Sequence, residues 1–301
     1  MHSLDNITVI IVTYLTQKQL LINCLKSIDN RVKIKIIENS HNFEHRKEIL
    51  SNFDNVEIYC TGENLGYGKG NNFGLKIAKT DYALILNPDL TCDIDFFSNI
   101  TKVLNYAKDF TIIGCQYQKD KIFLPAGFFD KKKNEEFVKI FKNQKTKKLE
   151  KVDWVTGCSM LINLKKFENK EIFDKNFFLF FEEFDLCKTI INKGEHIYTS
   201  QDLKIDHLGF KSSLGKNLEN KNRANRIREW HWMWSNFYFY KKNYSYLKAL
   251  TKMFGKFIKS FFKFNYYFLT LQKENKEKYL YRFLGILNGM LGRSSFFRVK
   301  K

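Results

Sequence analysis

Three stretches of this sequence place polar side chains where chemistry could be done. Asn87-Pro88-Asp89 follows an apolar run, and its proline pushes Asn87 towards extended geometry and stiffens the turn. A carboxylate presented there beside a phosphate suits Mg²⁺ or Mn²⁺, hard cations that take oxygen ligands; capping of a following helix is the plainer alternative. Phe180-Phe181-Glu182-Glu183-Phe184-Asp185-Leu186 sets three carboxylates within four positions, among bulky apolar neighbours that include Phe177 and Phe178. On a helix Glu182 and Asp185 share a face, while Glu183 points elsewhere. Apolar surroundings raise a carboxyl pKa, which suits a general base; a solvated helix start, with the acids well placed on the helix dipole, is the competing account. Asp206-His207-Leu208-Gly209 comes just after a strand-like run, so His207 could add a nitrogen ligand to a cation held by Asp89.

A fourth stretch, Gly62-Glu63-Asn64-Leu65-Gly66-Tyr67-Gly68-Lys69-Gly70-Asn71-Asn72, permits close backbone approach to a ligand and leads into a helix N-terminus, where anions bind well. It is neither a Walker loop nor a Gly-x-Gly-x-x-Gly fingerprint, and a simple turn and cap would look the same. His41 and His45 stand at i and i+4, but no third ligand or neighbouring Glu completes a zinc site. Six cysteines (24, 60, 92, 115, 158 and 187) are scattered without a Cys-x-x-Cys pair, which reads as small buried hydrophobes.

These stretches need elements to position them. Ile7 to Thr13, Val32 to Ile37, Val56 to Cys60 and Tyr82 to Leu86 are short β-branched or apolar runs and read as strands. Between them, Gln17 to Ile28, Glu44 to Leu50 and Asn71 to Lys79 read as helices. Alternation of this kind predicts parallel βαβ units in an open sheet, with ligands at the carboxyl ends of the strands. Those ends carry Thr13-Tyr14, Glu38-Asn39-Ser40, the glycine-rich stretch and Asn87-Pro88-Asp89. Gln118 to Lys151 is lysine-rich with little periodicity and reads as an insertion or mobile loop. Val152 to Asn163 and Glu195 to Asp206 read as later sheet elements flanking a helix around Glu182 to Asn192.

The chain has 301 residues and a formal net charge of +19, with 44% hydrophobic and 28% charged residues, which excludes wholesale disorder. With only two prolines and 15 glycines it is not collagen-like. No apolar run is long enough for a spanning helix, and the first residues lack a secretory pattern, so the expected compartment is the cytoplasm. From Lys216 onward 20 Lys and Arg face 4 Asp and Glu, whereas the preceding residues hold 31 against 28. We therefore expect two domains, 1–215 and a basic aromatic helical extension, 216–301. In the extension Arg223, Arg226 and Arg228 precede Trp230-His231-Trp232-Met233-Trp234. Lys248, Lys252, Lys256, Lys259 and Lys263 then fall on one helix face, with Leu247, Leu250, Phe254, Phe257, Ile258 and Phe261 largely on the other. Such a helix suits the surface of an anionic membrane, where each lysine is worth about 1 kcal/mol; a lid packed on the rest of the protein is the alternative.

Taken in order, Thr13-Tyr14, Glu38-Asn39-Ser40, Asn64 to Asn72, Asn87-Pro88-Asp89, Trp154 to Cys158, Glu182 to Leu186 and His207-Leu208-Gly209 resemble glycosyltransferase family 2. The similarity is greatest to the rhamnosyltransferase-like enzymes of bacterial surface polysaccharide synthesis, such as O-antigen or capsule. The resemblance implies an α/β GT-A fold, with a Rossmann-like mixed sheet, and an inverting, metal-dependent transfer from a nucleotide-diphosphate sugar. It implies that Thr13, Tyr14, Glu38, Asn39, Asn64, Gly66, Lys69, Asn71, Asn87 and Asp89 bind the nucleotide-sugar. Asp89 and His207 would hold Mn²⁺ or Mg²⁺, Trp154 and Gly157 would border the acceptor or sugar, and Glu183 would be the base, with Glu182 and Asp185 competing. The expected acceptor is a lipid-linked glycan or polysaccharide, and the expected place is the inner face of the plasma membrane. No nucleic-acid partner is expected; the reading to be weighed against this one is a non-catalytic protein that binds nucleic acid or nucleotide-sugar.

Overall fold

The computed structural model describes residues 3–117, 124–143, 147–207 and 218–298, with the backbone alone described for His207 and for 218–221. The chain divides into two compact units. One comprises Met1–Leu65, Lys69–Phe173 and Leu186–Ser213; the other comprises Gly66–Gly68, Asp174–Asp185 and Leu214–Lys301.

The first unit begins with β1 (Ile7–Thr13), α1 (Lys18–Lys26), β2 (Lys33–Glu38), α2 (Arg46–Asn52), β3 (Val56–Cys60), α3 (Tyr67–Ile77, which starts in the other unit) and β4 (Tyr82–Leu86). Ile7, Val9, Ile10 and Ile11 of β1 are wholly buried, each contributing about 1.5–3 kcal/mol of burial. There follow β5 (Leu90–Cys92), α4 (Phe96–Tyr106), β6 (Ile112–Tyr117), β7 (Ala126–Gly127), α5 (Lys131–Lys142), β8 (Leu149–Val152), β9 (Trp154–Val155), β10 (Ser159–Asn163), α6 (Glu182–Asn192, whose first turn through Asp185 belongs to the other unit) and β11 (Ile197–His207). The main sheet runs β3-β2-β1-β4-β10-β6-β11-β5, with β8 also on β11. Its first four strands are mutually parallel. β10 is antiparallel to β4 and β6, and β11 runs parallel to β6 but antiparallel to β5 and β8. The sheet is thus mixed, and its parallel half brings the carboxyl ends of β1 to β4 to one edge.

The lysine-rich stretch 118–151 is not simply a loop. Asp130 caps α5 by accepting from the Lys133 amide at 2.9 Å, and Phe137 anchors it against Phe128 with ring centroids 5.7 Å apart. β8 adds a strand to β11. A single buried aromatic per helix is too faint a period to read from sequence. Residues 118–123 and 144–146 lie outside the described residues.

The second unit is built on α7 (Leu218–Asn243), α8 (Tyr246–Leu269) and α9 (Lys273–Met290). Trp230, Trp234 and Tyr238 recur every four residues and stack along α7, with centroids 6.2 and 5.0 Å apart. α9 meets α7 closely at Gly285, where any Cβ would collide with the Trp230 carbonyl. An Arg226–Glu277 pair, two bonds of 2.9 Å, ties the same helices. On α8 the apolar residues expected to share one face divide. Leu250 and Phe257 join Met253, Met233, Phe237 and Ile286 in a small core, whereas Leu247, Phe254, Ile258 and Phe261 are exposed. Among the described residues no helix is long and apolar enough to cross a membrane.

Candidate active site

In the first unit the ends of three strands are knotted together by their own polar groups. Thr13 donates to the Glu38 carboxylate at 2.6 Å, and the Asn39 amide donates to the Thr13 carbonyl at 2.8 Å. The Thr61 amide donates to the Glu38 carbonyl at 3.0 Å, and its hydroxyl reaches the Asn39 side chain at 3.4 Å. Thr13, Glu38 and Asn39 are all buried, and burial pushes the Glu38 carboxyl up despite its bond from Thr13. Tyr14 is half-buried and opens the turn that follows β1. On α3, Asn71 is wholly buried and Lys69 is exposed, while Gly70 leaves room against Asn39 and Val12 that a Cβ would fill. Asn64 is half-buried on the approach to that helix. Asn72 ties α3 to the chain at 172–173, because its amide donates to the Phe173 carbonyl at 2.8 Å and its oxygen accepts from the Ile172 and Phe173 amides at 3.0 and 2.9 Å.

Asn87-Pro88-Asp89 forms a tight turn, closed by the Leu90 amide on the Asn87 carbonyl at 3.2 Å, with proline at the position that favours its fixed φ. The Asn87 amide donates to the Cys158 carbonyl at 2.9 Å, which sets Gly157 one residue from this turn. Leu90 is the register partner of His207 on β11, so the backbones of Asp89 and His207 come together at the end of paired strands. Asp89 is buried. Trp154 pairs with Gly127 in the small β7–β9 sheet, its ring filling the space a side chain at 127 would need.

In the second unit the carboxylates of α6 part company. Glu182 is buried, and its Oε2 has no hydrogen-bond partner among the described residues. Burial, then the neighbouring Glu183, hold its carboxyl well above the usual range. Glu183 is half-buried, and desolvation pushes it up to about 7. Asp185 is engaged elsewhere: it accepts from Lys242 at 2.7 Å and from Asn243 at 2.8 Å. Leading into these acids, Phe180 and Phe181 both take left-handed backbone, at φ 69° and 68°. Left-handed backbone costs an L-residue roughly 1–2 kcal/mol. Trp232 of α7 braces both, with ring centroids 5.2 and 5.4 Å away. Gly66 belongs to this unit too: at φ 81° it lies so close to the Phe178 carbonyl that no side chain fits, and the Tyr67 amide donates to that carbonyl at 3.1 Å.

Residues 8–169, just over half of the chain, match the sequence model of glycosyl transferase family 2. The chain belongs to this family. A low-salt glycan biosynthesis hexosyltransferase, Agl10, from Haloferax volcanii is 24% identical over 242 residues, which is 73% of this chain and 75% of that protein. Among solved structures, GalNAc-T7 with UDP, GalNAc and Mn²⁺ superposes with a TM-score of 0.53 at 16% identity, covering 78% of this chain; the chain spans 50% of that one. The mannosyltransferase PcManGT from Pyrobaculum calidifontis, with GDP-Man and Mn²⁺, gives 0.53 at 12% identity, covering 95% of this chain and 87% of its own. The fold is GT-A.

For a family 2 glycosyltransferase the donor set at the 87–89 turn fits a divalent cation of one kind. Among the described residues no group of three or more His, Cys, Asp or Glu side chains could hold a metal by itself. One buried carboxylate, with the backbone of a histidine paired beside it, fits a hard cation whose remaining ligands are the oxygens of a bound diphosphate. Tyr117, which the sequence does not single out, joins the Trp154–Cys158 stretch, its hydroxyl 2.9 Å from the Cys158 sulfur and 3.2 Å from the Thr156 hydroxyl. Its only signal there is a tyrosine ending an apolar strand. The strain at Phe180 and Phe181 has no signal in the sequence, because phenylalanine is not a residue that marks left-handed backbone.

Proposed function

We propose that this glycosyltransferase moves a hexosyl-type sugar, with inversion, from a nucleotide-diphosphate donor to a lipid-linked or polysaccharide acceptor. The observation that carries the reading is Glu183, a half-buried carboxyl that desolvation holds at about 7. A base poised near the working pH can take the proton of an acceptor hydroxyl as that oxygen attacks the anomeric carbon. The bond to the diphosphate breaks as the new glycosidic bond forms. Glu182 is too deeply buried to reach an acceptor and Asp185 is held by Lys242, which supports Glu183 among the three. Thr13, Glu38, Asn39 and the Asn64–Asn71 stretch line the nucleotide, and Gly157 and Trp154 border the sugar or acceptor. Asp89 and His207 would hold Mn²⁺ or Mg²⁺, which when bound neutralises the departing diphosphate. The motif order makes rhamnose from a deoxythymidine-diphosphate donor the first sugar to assay, and the Mn²⁺-bearing structural neighbours make Mn²⁺ the first metal. Transfer or donor hydrolysis that needs the divalent ion and is lost in Glu183→Gln is the expected result. Full activity in that variant would remove Glu183 from the chemistry.

The same reading places the enzyme on the inner membrane face through its basic extension, and α8 supports it. At roughly 100° per residue the side chains of α8 fall into three separate rows. Ala249, Met253 and Ser260 are buried. Lys248, Lys252, Lys256, Lys259 and Lys263 form a second row. The third row is apolar and open to solvent: Leu247 is 70% exposed, Phe254 58%, Phe262 65% and Leu269 79%. The helix contains no Asp or Glu at all. An uncovered apolar row beside a purely cationic one is complementary to an anionic bilayer, into which the rings sink while the lysines meet headgroups. Vesicles rich in anionic phosphatidylglycerol should float the protein and neutral ones should not. Phe254→Glu with Phe262→Glu should abolish flotation; retained flotation would reject α8 as the contact, and dimerisation through this face would replace the membrane as its partner.

A further inference from the structure

The segment that carries the α6 carboxylates is held at both ends by one side chain. Lys242, in the last turn of α7, lies 2.7 Å from the Asp174 carboxylate and 2.7 Å from the Asp185 carboxylate. Asp174 and Asp185 bracket the whole stretch containing Phe180, Phe181, Glu182 and Glu183. Neighbours on α7 reinforce the grip. The Tyr238 hydroxyl donates to Asp174 at 3.1 Å, its ring packs on Phe177 at 4.9 Å, and Asn243 donates to Asp185 at 2.8 Å. Asp185 is buried, so an uncompensated charge there would force the loop to move. Between the two clamped ends lie two left-handed phenylalanines, a conformation that persists only where the surroundings over-determine it.

We propose that Lys242 is a positioning residue for glycosyl transfer: by bridging Asp174 and Asp185 it fixes the loop that aims Glu183 at the acceptor hydroxyl. This rests on the assignment of Glu183 as the base. It gives the extension a role in the chemistry distinct from membrane attachment, since α7 supplies the clamp and α8 the exposed apolar row. Two ion pairs from one ammonium make a chord across the loop, so its loss lets the base drift while leaving the nucleotide-binding strand ends untouched. A misplacement of about 1 Å is enough to cost on the order of a hundredfold in turnover.

The test compares full-length Lys242→Met, Lys242→Arg and Glu183→Gln with the wild type. For Lys242→Met we expect kcat to fall about tenfold to a hundredfold while donor affinity, measured by titration with nucleotide-sugar and Mn²⁺, stays within about twofold. The acidic limb of its pH–rate profile should move upward, because Asp174 and Asp185, no longer neutralised, disfavour a further anion at Glu183. Lys242→Arg should recover most of the rate. Wild-type kcat and an unmoved limb in Lys242→Met overturn the proposal. So does a loss of rate that merely follows the unfolded fraction in a thermal melt, with the limb in place. Full turnover in Glu183→Gln overturns the base assignment and this inference together, whereas its loss alongside a normal Lys242→Met overturns this inference alone.

Discussion

Two turns in this molecule each present a carboxylate, and they are made rigid by opposite means. At 87–89 the constraint is mainly local: Pro88 fixes a φ and the Leu90 amide closes the turn, with a single long-range bond from the Asn87 amide to the Cys158 carbonyl. At 180–183 the constraint is distant. Phe180 and Phe181 sit in unfavourable backbone, held by Trp232 from α7 and by the Lys242 clamp on Asp174 and Asp185. The difference matches the demands of the roles proposed for the two acids. A cation ligand needs a fixed oxygen beside a phosphate, and a short turn suffices. A general base needs low-dielectric surroundings to bring its pKa near neutrality, and only packed apolar groups provide that.

The comparison can be broken or sharpened at several points. Glu183→Gln should have the largest effect, lowering transfer by about 10²–10⁴-fold with donor affinity kept. Asp89→Ala should cost several kcal/mol of charge stabilisation, roughly a hundredfold or more in rate, and should erase the Mn²⁺-dependent rise in melting temperature with nucleotide-sugar. The pH response separates the turns next. Activity should climb with pH through about 7 as Glu183 ionises. Its folded pKa lies above the ordinary 4.5, so between those values the native chain holds a proton that the unfolded chain has released, and stability falls as pH rises through that window. Glu183→Gln should therefore melt higher than the wild type at pH 8 and like it at pH 4. Trp232→Ala should remove two ring pairs worth about 1–3 kcal/mol in total and lower turnover as the loop loosens. Pro88→Ala should be mildest, about 0.4–1 kcal/mol, because the hydrogen bonds of its turn remain. A larger loss of stability in Pro88→Ala than in Trp232→Ala would reverse the contrast between local and distant bracing.

The legible part of this protein follows the same division. β1 and β4 span the residues that their apolar runs indicate, because burial on both faces of a central strand leaves an unbroken apolar signature, whereas β3, at the edge of the sheet, is marked by alternation, with Val56 and Ile58 buried and Glu57 exposed. The polar ends of those strands were legible for the same reason. The 118–151 region was not, since α5 is anchored mainly by Phe137 and a helix with one buried contact scarcely differs from a lysine-rich loop. α8 was half legible. Its lysine row follows from spacing, but its apolar residues part into half-buried Leu250 and Phe257 and exposed Phe254 and Phe262 according to where α7 and α9 lie.

By itself the sequence determined the parallel strands, the polar edge at their carboxyl ends, the stiff turn at Pro88 and the basic character of the extension. Each of these is set by neighbours a few residues apart, through sterics, alternation or charge. Tertiary structure alone decided which of three adjacent acids is available. Lys242, 57 residues beyond Asp185, takes that carboxylate out of play, while burial leaves Glu183 near neutrality and holds Glu182 well above the usual carboxyl range. Side-chain pKa and backbone strain depend on what packing brings from far along the chain, and no local pattern records it.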